Sequence, residues 1–104
     1  PFSRLIDVKM ENKEIAQKAF YDILDDVKKL LNKNLIHGDL SAYNILFDEE
    51  NNKHYIIDFS HGTTKENLLA RSILIRDLEN IMKYFRKYFE IEENKEINDI
   101  LSNF

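Results

Sequence analysis

The run Leu35-Ile36-His37-Gly38-Asp39-Leu40-Ser41-Ala42-Tyr43-Asn44-Ile45-Leu46-Phe47, followed after a polar turn by Tyr55-Ile56-Ile57-Asp58-Phe59, is the stretch whose reading decides the rest. Two carboxylates, Asp39 and Asp58, and one carboxamide, Asn44, stand at the ends of apolar runs. Buried apolar backbone is stiff there and can aim the polar side chains into a cleft. Asp39 and Asn44 are five residues apart across a loop, and Asp58 ends the next strand, so a hairpin bend brings all three to one end of a small sheet. Oxygen-only ligands suit magnesium, which keeps several waters and takes one or two protein carboxylates together with substrate phosphate oxygens. In that arrangement Asn44 and Asp58 bind metal, and Asp39 orients or deprotonates an attacking hydroxyl or water. His37 has the chemistry of a general base, but the preferred reading is a buried strand-end histidine bonded to the backbone near Asp58.

Outward from this stretch, Ile45 to Phe47 and Tyr55 to Ile57 read as two antiparallel strands around the polar turn Asp48 to Lys53. Gly38 and Gly62 are the only glycines, each close to an aspartate, where the backbone has to bend tightly. Upstream, residues 1–10 read as an extended lead-in. Asn12 is a candidate N-cap, and Ile15, Ala19, Ile23, Val27 and Leu31 recur every fourth residue, which predicts a helix of about five turns. Lys28, Lys29 and Lys33 complement its C-terminal dipole, and Asn32 or Asn34 takes the left-handed exit. Downstream, Thr64 or Asn67 is placed to cap a second long helix reaching from Leu68 to Phe89. Its outer face carries Arg71, Arg76, Lys83, Arg86 and Lys87 and is either solvated or a docking face for phosphate backbone or protein. A short closing helix lies within residues 90–104. The expected fold is an α-rich α+β lobe in which a small antiparallel β-hairpin carries the site.

With 104 residues the chain is at most one domain, spanning 1–104, and large enough for a core without staples. Its 43% hydrophobic and 33% charged residues are ordinary for a soluble globular chain and do not indicate disorder. No apolar run is long enough to cross a bilayer, and the opening Pro1-Phe2-Ser3-Arg4-Leu5 has no secretory leader, so no membrane partner is expected. The absence of cysteine fits a reducing compartment, and the expected location is the cytoplasm. A first residue other than methionine suggests a piece of something longer. A net charge of −4 argues against a free-standing nucleic-acid binder.

His37-Gly38-Asp39-Leu40-Ser41-Ala42-Tyr43-Asn44-Ile45-Leu46 resembles the catalytic loop of RIO kinases, and Ile56-Ile57-Asp58-Phe59-Ser60 resembles their metal loop. Arg4-Leu5-Ile6-Asp7-Val8 is similar to the segment past that family's interlobe hinge, and Arg76 to Asn80 with Tyr84-Phe85 is similar to its closing helix. The resemblance implies a protein-kinase-like C-lobe with ATP and Mg2+ as cofactors. It makes Asp39 the catalytic aspartate and Asn44 and Asp58 the metal ligands, with Asp58 also a candidate phosphoryl acceptor. Leu46 and Ile57 become the floor under the adenine. Ser41 stands where ordinary protein kinases carry a phosphate-contacting lysine, and Ser60 where they carry the glycine of Asp-Phe-Gly. No Ala-Pro-Glu element follows, so the family's use of ATP hydrolysis as a switch on the pre-ribosomal small subunit, or its RNA, is implied. A glycine-rich loop and a strand lysine are missing from these residues. Half the phosphate clamp is then absent, and the N-lobe has to come from elsewhere; the fragment alone is expected to be inert.

Other classes remain. Aminoglycoside and choline phosphotransferases share a His-Gly-Asp loop, but Ser41-Ala42-Tyr43 and Ser60-His61 depart from their pattern. The small kinase of the KEOPS tRNA-modifying assembly is similarly compact, though the lead-in at Arg4 to Val8 and the helix through Arg76 count against it. A non-catalytic docking module using the basic face of residues 71–87 is the third.

Overall fold

The structure, a computed structural model, describes residues 2–104; Pro1, the first residue of the expected lead-in, lies outside them. The lead-in is more than an extended arm. Phe2–Arg4 forms a strand, β1, and Leu5–Asp7 a single 3₁₀ turn that buries Leu5. The long helix α1 covers Lys13–Asn32 and starts as its sequence predicts: Asn12 is extended and its Oδ1 accepts the Ile15 N–H at 2.9 Å. Ala16, Ala19, Phe20, Ile23, Leu24, Val27 and Leu31 make its buried stripe. Of the two candidate exit residues it is Asn34 that turns left-handed, at φ 59°.

Strands β2 (Ile45–Asp48) and β3 (Lys53–Ile56) form the expected antiparallel hairpin, with Leu46 opposite Tyr55 and Phe47 opposite His54. β1 adds to the other edge of β2, Arg4 opposite Leu46, so the sheet has three strands in the order β1-β2-β3. Strand alternation buries Ile45 and Phe47 in the hydrophobic core and leaves Phe2 stacked on Tyr55 at 5.2 Å on the open face. β3 ends one residue earlier than expected. Ile57 still donates its N–H to Asn44 O, but Asp58 swings to φ 61° and leaves the ladder.

The second helix, α2, spans Ala70–Phe85, shorter at both ends than the pattern suggests. Leu68 and Leu69 are apolar and fit the periodicity, yet both are exposed and precede it. Neither Thr64 nor Asn67 is its N-cap; the Asn67 side chain instead accepts the Leu69 N–H in the preceding turn. The closing helix, α3, is Glu93–Leu101. Phe20 meets Phe85 and Phe89 edge-on at 5.4 and 5.5 Å, which closes α1 onto α2. Phe20, Phe47 and Phe85 are fully buried, and each such side chain stabilises the fold by about 1.5–3 kcal/mol. The basic face is partly committed within the fold: Arg76 donates to Gly38 O at 3.0 Å, and Arg86 pairs with Glu93 at 3.2 Å. Among the described residues no helix is long and apolar enough to cross a membrane.

Candidate active site

Two loops have to meet for the site to exist, and backbone pairing brings them together. Ile36 and Thr63 exchange N–H···O bonds of 2.8 and 2.9 Å, laying the approach to Gly38 against the segment that follows Asp58. Gly38 has φ 88°, and a Cβ at that position would overlap the His61 carbonyl oxygen. Only glycine permits both the conformation and the contact.

Helix α2 then grips the loop. Asp77 is 1% exposed, and its carboxylate accepts the N–H of Gly38 at 2.9 Å and of Leu40 at 3.0 Å, straddling Asp39. Arg76 donates to Gly38 O and Asn80 to Leu40 O at 3.3 Å, so the helix holds both polar groups of the backbone on either side of Asp39. Burial pushes the Asp77 carboxyl above the usual carboxylate range, against the pull of the two N–H donors and of nearby His37 and Arg76. Sequence reasoning did not single out Asp77. Its signal was an aspartate on the apolar stripe of α2, three residues after Leu74 and four before Ile81.

His37 is the second clamp. It is 2% exposed, its Nδ1 accepts the Asp39 N–H at 3.1 Å, and its Nε2 lies 2.7 Å from Ile57 O. The tautomer protonated on Nε2 satisfies both contacts. Its ring, 4.8 Å from that of Phe59, and its bond to Ile57 O tie the Asp39 loop to the segment around Asp58, as the sequence reading preferred. With both nitrogens engaged, it is not placed as a general base.

At the surface, Asn44 donates its Nδ2 to Asp39 O at 2.8 Å and to Asp39 Oδ2 at 3.2 Å. Those bonds fix the carboxamide and leave Oδ1 without a donor among the described residues. Because Asn44 O holds the Ile57 N–H, Asp58 emerges beside Asn44. Asp58 Oδ1 accepts the Ser60 hydroxyl at 2.7 Å, which, with the Ser60 N–H, holds its carboxyl below the usual range. His61, absent from the sequence-based set, closes the ring. Its Nδ1 lies 3.9 Å from Asp39 Oδ2 and 3.3 Å from Ser60 Oγ.

Asp39, Asn44 and Asp58 are therefore brought together. Ser41 is not part of that group: its hydroxyl accepts the Tyr43 N–H at 3.2 Å. Leu46 lies across from Tyr55 on the side opposite buried Ile45 and Phe47, Ile57 follows Tyr55 by two residues, and both are half-buried. The donor chemistry fits a hard cation: one free carboxamide oxygen and one ionised carboxylate, with remaining positions left to water and phosphate oxygens. No three His, Cys, Asp or Glu side chains cluster as a metal cage among the described residues. A cavity of about 490 Å3 lies elsewhere, between α1 and the β2–β3 turn, where His54 Nε2 is 2.5 Å from Asp26 Oδ2.

The family model of the RIO domain matches residues 1–97. The chain is 39% identical over 87 residues to the RIO-type serine/threonine-protein kinase Rio2 of Methanocaldococcus jannaschii, a match covering 84% of this chain and 32% of that protein. It is 42% identical over 72 residues to Rio1 of the same organism, covering 68% of this chain and 24% of the relative. Among solved structures, the Rio2 kinase-ADP/Mg2+-phosphoaspartate complex from Chaetomium thermophilum aligns with a TM-score of 0.72 at 20% identity, covering 91% of this chain and 32% of that one. The α+β fold is thus shared with a Rio2 kinase. The chain spans about a third or less of the length of these relatives.

Proposed function

The chain belongs to the RIO domain family of serine/threonine kinases, and from that premise we propose that residues 1–104 are the C-lobe of an ATP-dependent phosphotransferase or ATPase. The observation that carries this reading is the joining of Asp39, Asn44 and Asp58 at one end of the sheet through the Ile57–Asn44 backbone bond and the His37 bridge. Asn44 Oδ1 and the Asp58 carboxylate would hold Mg2+, which when bound supplies charge neutralisation for the phosphates. Asp39, half exposed with its N–H held by His37 and those of its two neighbours by Asp77, is positioned to accept the proton of an attacking hydroxyl or water. The His61 ring lies beside it, Nδ1 3.9 Å from Asp39 Oδ2. Ser60 keeps Asp58 ionised, which suits a metal ligand and equally a phosphoryl acceptor. Leu46 and Ile57, with exposed Tyr55 nearby, provide an apolar floor for a purine. The phosphate-covering loop and its lysine come from outside these residues, so this lobe alone should bind nucleotide weakly and turn over none. The reading extends to small ribosomal subunit maturation as the setting, supported by the sequence resemblance of the two loops.

The test is a titration of the full-length protein, wild type and Asp58→Ala, with magnesium and ATP, following nucleotide affinity and phosphate release. Release that requires magnesium and collapses in the variant supports the reading. Equal binding and turnover in the two proteins would refute it.

A further inference from the structure

A second concave surface adjoins the loop that carries Asp39. A cavity of about 410 Å3 is walled by Ala42 and Tyr43 of that loop, by Ile6 of the lead-in, and by Lys83, Tyr84 and Lys87 of α2 and its end. Its frame is fixed. Ile6 donates its N–H to Ala42 O at 2.9 Å, Arg4 donates to Tyr43 O at 3.0 Å, and the Tyr84 hydroxyl is tied to Val8 O at 2.7 Å. The Tyr43 ring stays 60% exposed.

The charges in this cavity are unmatched. Lys83 and Lys87 stand one helical turn apart, and among the described residues neither has a carboxylate within 4.0 Å, whereas Arg76 and Arg86 of the same helix region are engaged by Gly38 O and Glu93. Lys87 is held instead 4.2 Å above the Tyr84 ring and 5.4 Å from that of Tyr88. Like charges at this spacing repel, a penalty an anion seated between them removes. Apart from Ser41 and Asn80 the remaining wall is apolar or aromatic, and the surface continues past Ile6 and Lys87 into a further cavity of about 440 Å3 that Asp7 and Lys9 also line.

We propose that this groove seats an acidic segment of a polypeptide, namely the stretch flanking the hydroxyl presented to Asp39. The assignment rests on the phosphotransfer reading, since it makes the groove the acceptor subsite of that same loop. A peptide fits better than a nucleic acid. Two ammonium groups in an apolar trough match one or two carboxylates beside an apolar side chain, while a polynucleotide needs a track of many phosphate contacts. On this helix face Arg76 and Arg86 are already engaged by Gly38 O and Glu93, so the groove offers a short cationic stretch rather than a track.

The experiment measures anisotropy of two fluorescent serine peptides on the full-length protein, one with glutamate and leucine flanking the serine, the other with glutamine in place of glutamate. Wild type is compared with Lys83→Gln and with Lys83→Gln/Lys87→Gln; the single variant spares the Lys87 contact with the tyrosine rings. The acidic peptide should bind wild type about tenfold more tightly than its neutral twin, the size expected of two partly exposed ion pairs. The preference should weaken in the single variant and vanish in the double. Equal binding of the two peptides by wild type, or a preference that survives in the double variant, overturns the proposal. So does a single-stranded oligoribonucleotide whose binding the double variant abolishes while the peptides bind alike. Magnesium-dependent ATP hydrolysis without peptide, compared in wild type and Asp58→Ala, reports separately on the phosphotransfer reading.

Discussion

Replacing Asp77 should loosen the loop that carries Asp39 before it disturbs anything else. Its carboxylate is the sole acceptor shown for the N–H groups of Gly38 and Leu40, at 2.9 and 3.0 Å, in a position 1% exposed. Asp77→Ala strands both donors. A buried unsatisfied group costs about 1–3 kcal/mol, so two cost about 2–6, and water entering the vacated space brings the expected loss to about 3–4 kcal/mol. Asp77→Asn keeps one carbonyl oxygen for one donor but turns an NH2 on the other. It also escapes the desolvation that raises the wild-type carboxyl, so its loss should be smaller, about 1–2 kcal/mol. Urea unfolding gives the two free energies, and amide hydrogen exchange at Gly38 and Leu40 reports on the loop directly. Both amides should be strongly protected in wild type and fast in Asp77→Ala, while α1 amides that open only on global unfolding should speed up by no more than the measured loss of stability. An Asp77→Ala loss below about 0.5 kcal/mol, within the range of ordinary surface changes, would refute the clamp. So would free exchange of the two amides in wild type.

Gly38→Ala should cost at least about 2–3 kcal/mol, combining a left-handed alanine with the overlap on His61 O. Gly62→Ala, whose added Cβ would sit 3.1 Å from Phe59 O, should cost less than half as much by urea unfolding; equal losses would contradict the geometry. Tyr21→Phe removes the 2.7 Å bond to Glu96, a residue 9% exposed, and should destabilise the α1–α3 contact by about 1–2 kcal/mol. The hydrogen bond to Glu96 and then burial push the Tyr21 hydroxyl up to about 12. Its contribution is therefore complete below the ordinary tyrosine value and is lost as pH rises through about 12. Thermal unfolding of wild type and Tyr21→Phe should converge over that interval, and parallel curves would rule the tie out.

Much of this architecture is local in origin and so was legible in the sequence. The Asn12 cap bonds a residue three positions away, the apolar stripe of α1 repeats every fourth residue, and the β2–β3 hairpin closes over a short polar turn. The order of Asp39, Asn44 and Asp58 around that hairpin made a shared site readable, and so did the strand-end role of His37, whose two contacts lie next to the motif itself. Other features depend on partners far along the chain. β1 is three residues whose pattern carries no period, and it becomes a strand only because β2 offers an edge more than forty residues later. Leu68 and Leu69 continue the apolar periodicity of α2 but find nothing to pack against, so burial rather than pattern sets where the helix begins.

The same distinction holds within the site. Residue types and spacing determined by themselves that Asp39, Asn44 and Asp58 would meet at the end of a hairpin. Only the tertiary structure decided what holds them there. Asp77 reaches back 37 and 39 residues to the loop, Arg76 leaves the basic face to bind Gly38 O, and His61 comes to Asp39 through the Ile36–Thr63 bridge. Periodicity and capping act between neighbours in sequence, whereas a buried carboxylate is stabilised by whichever donors the packed helices place around it.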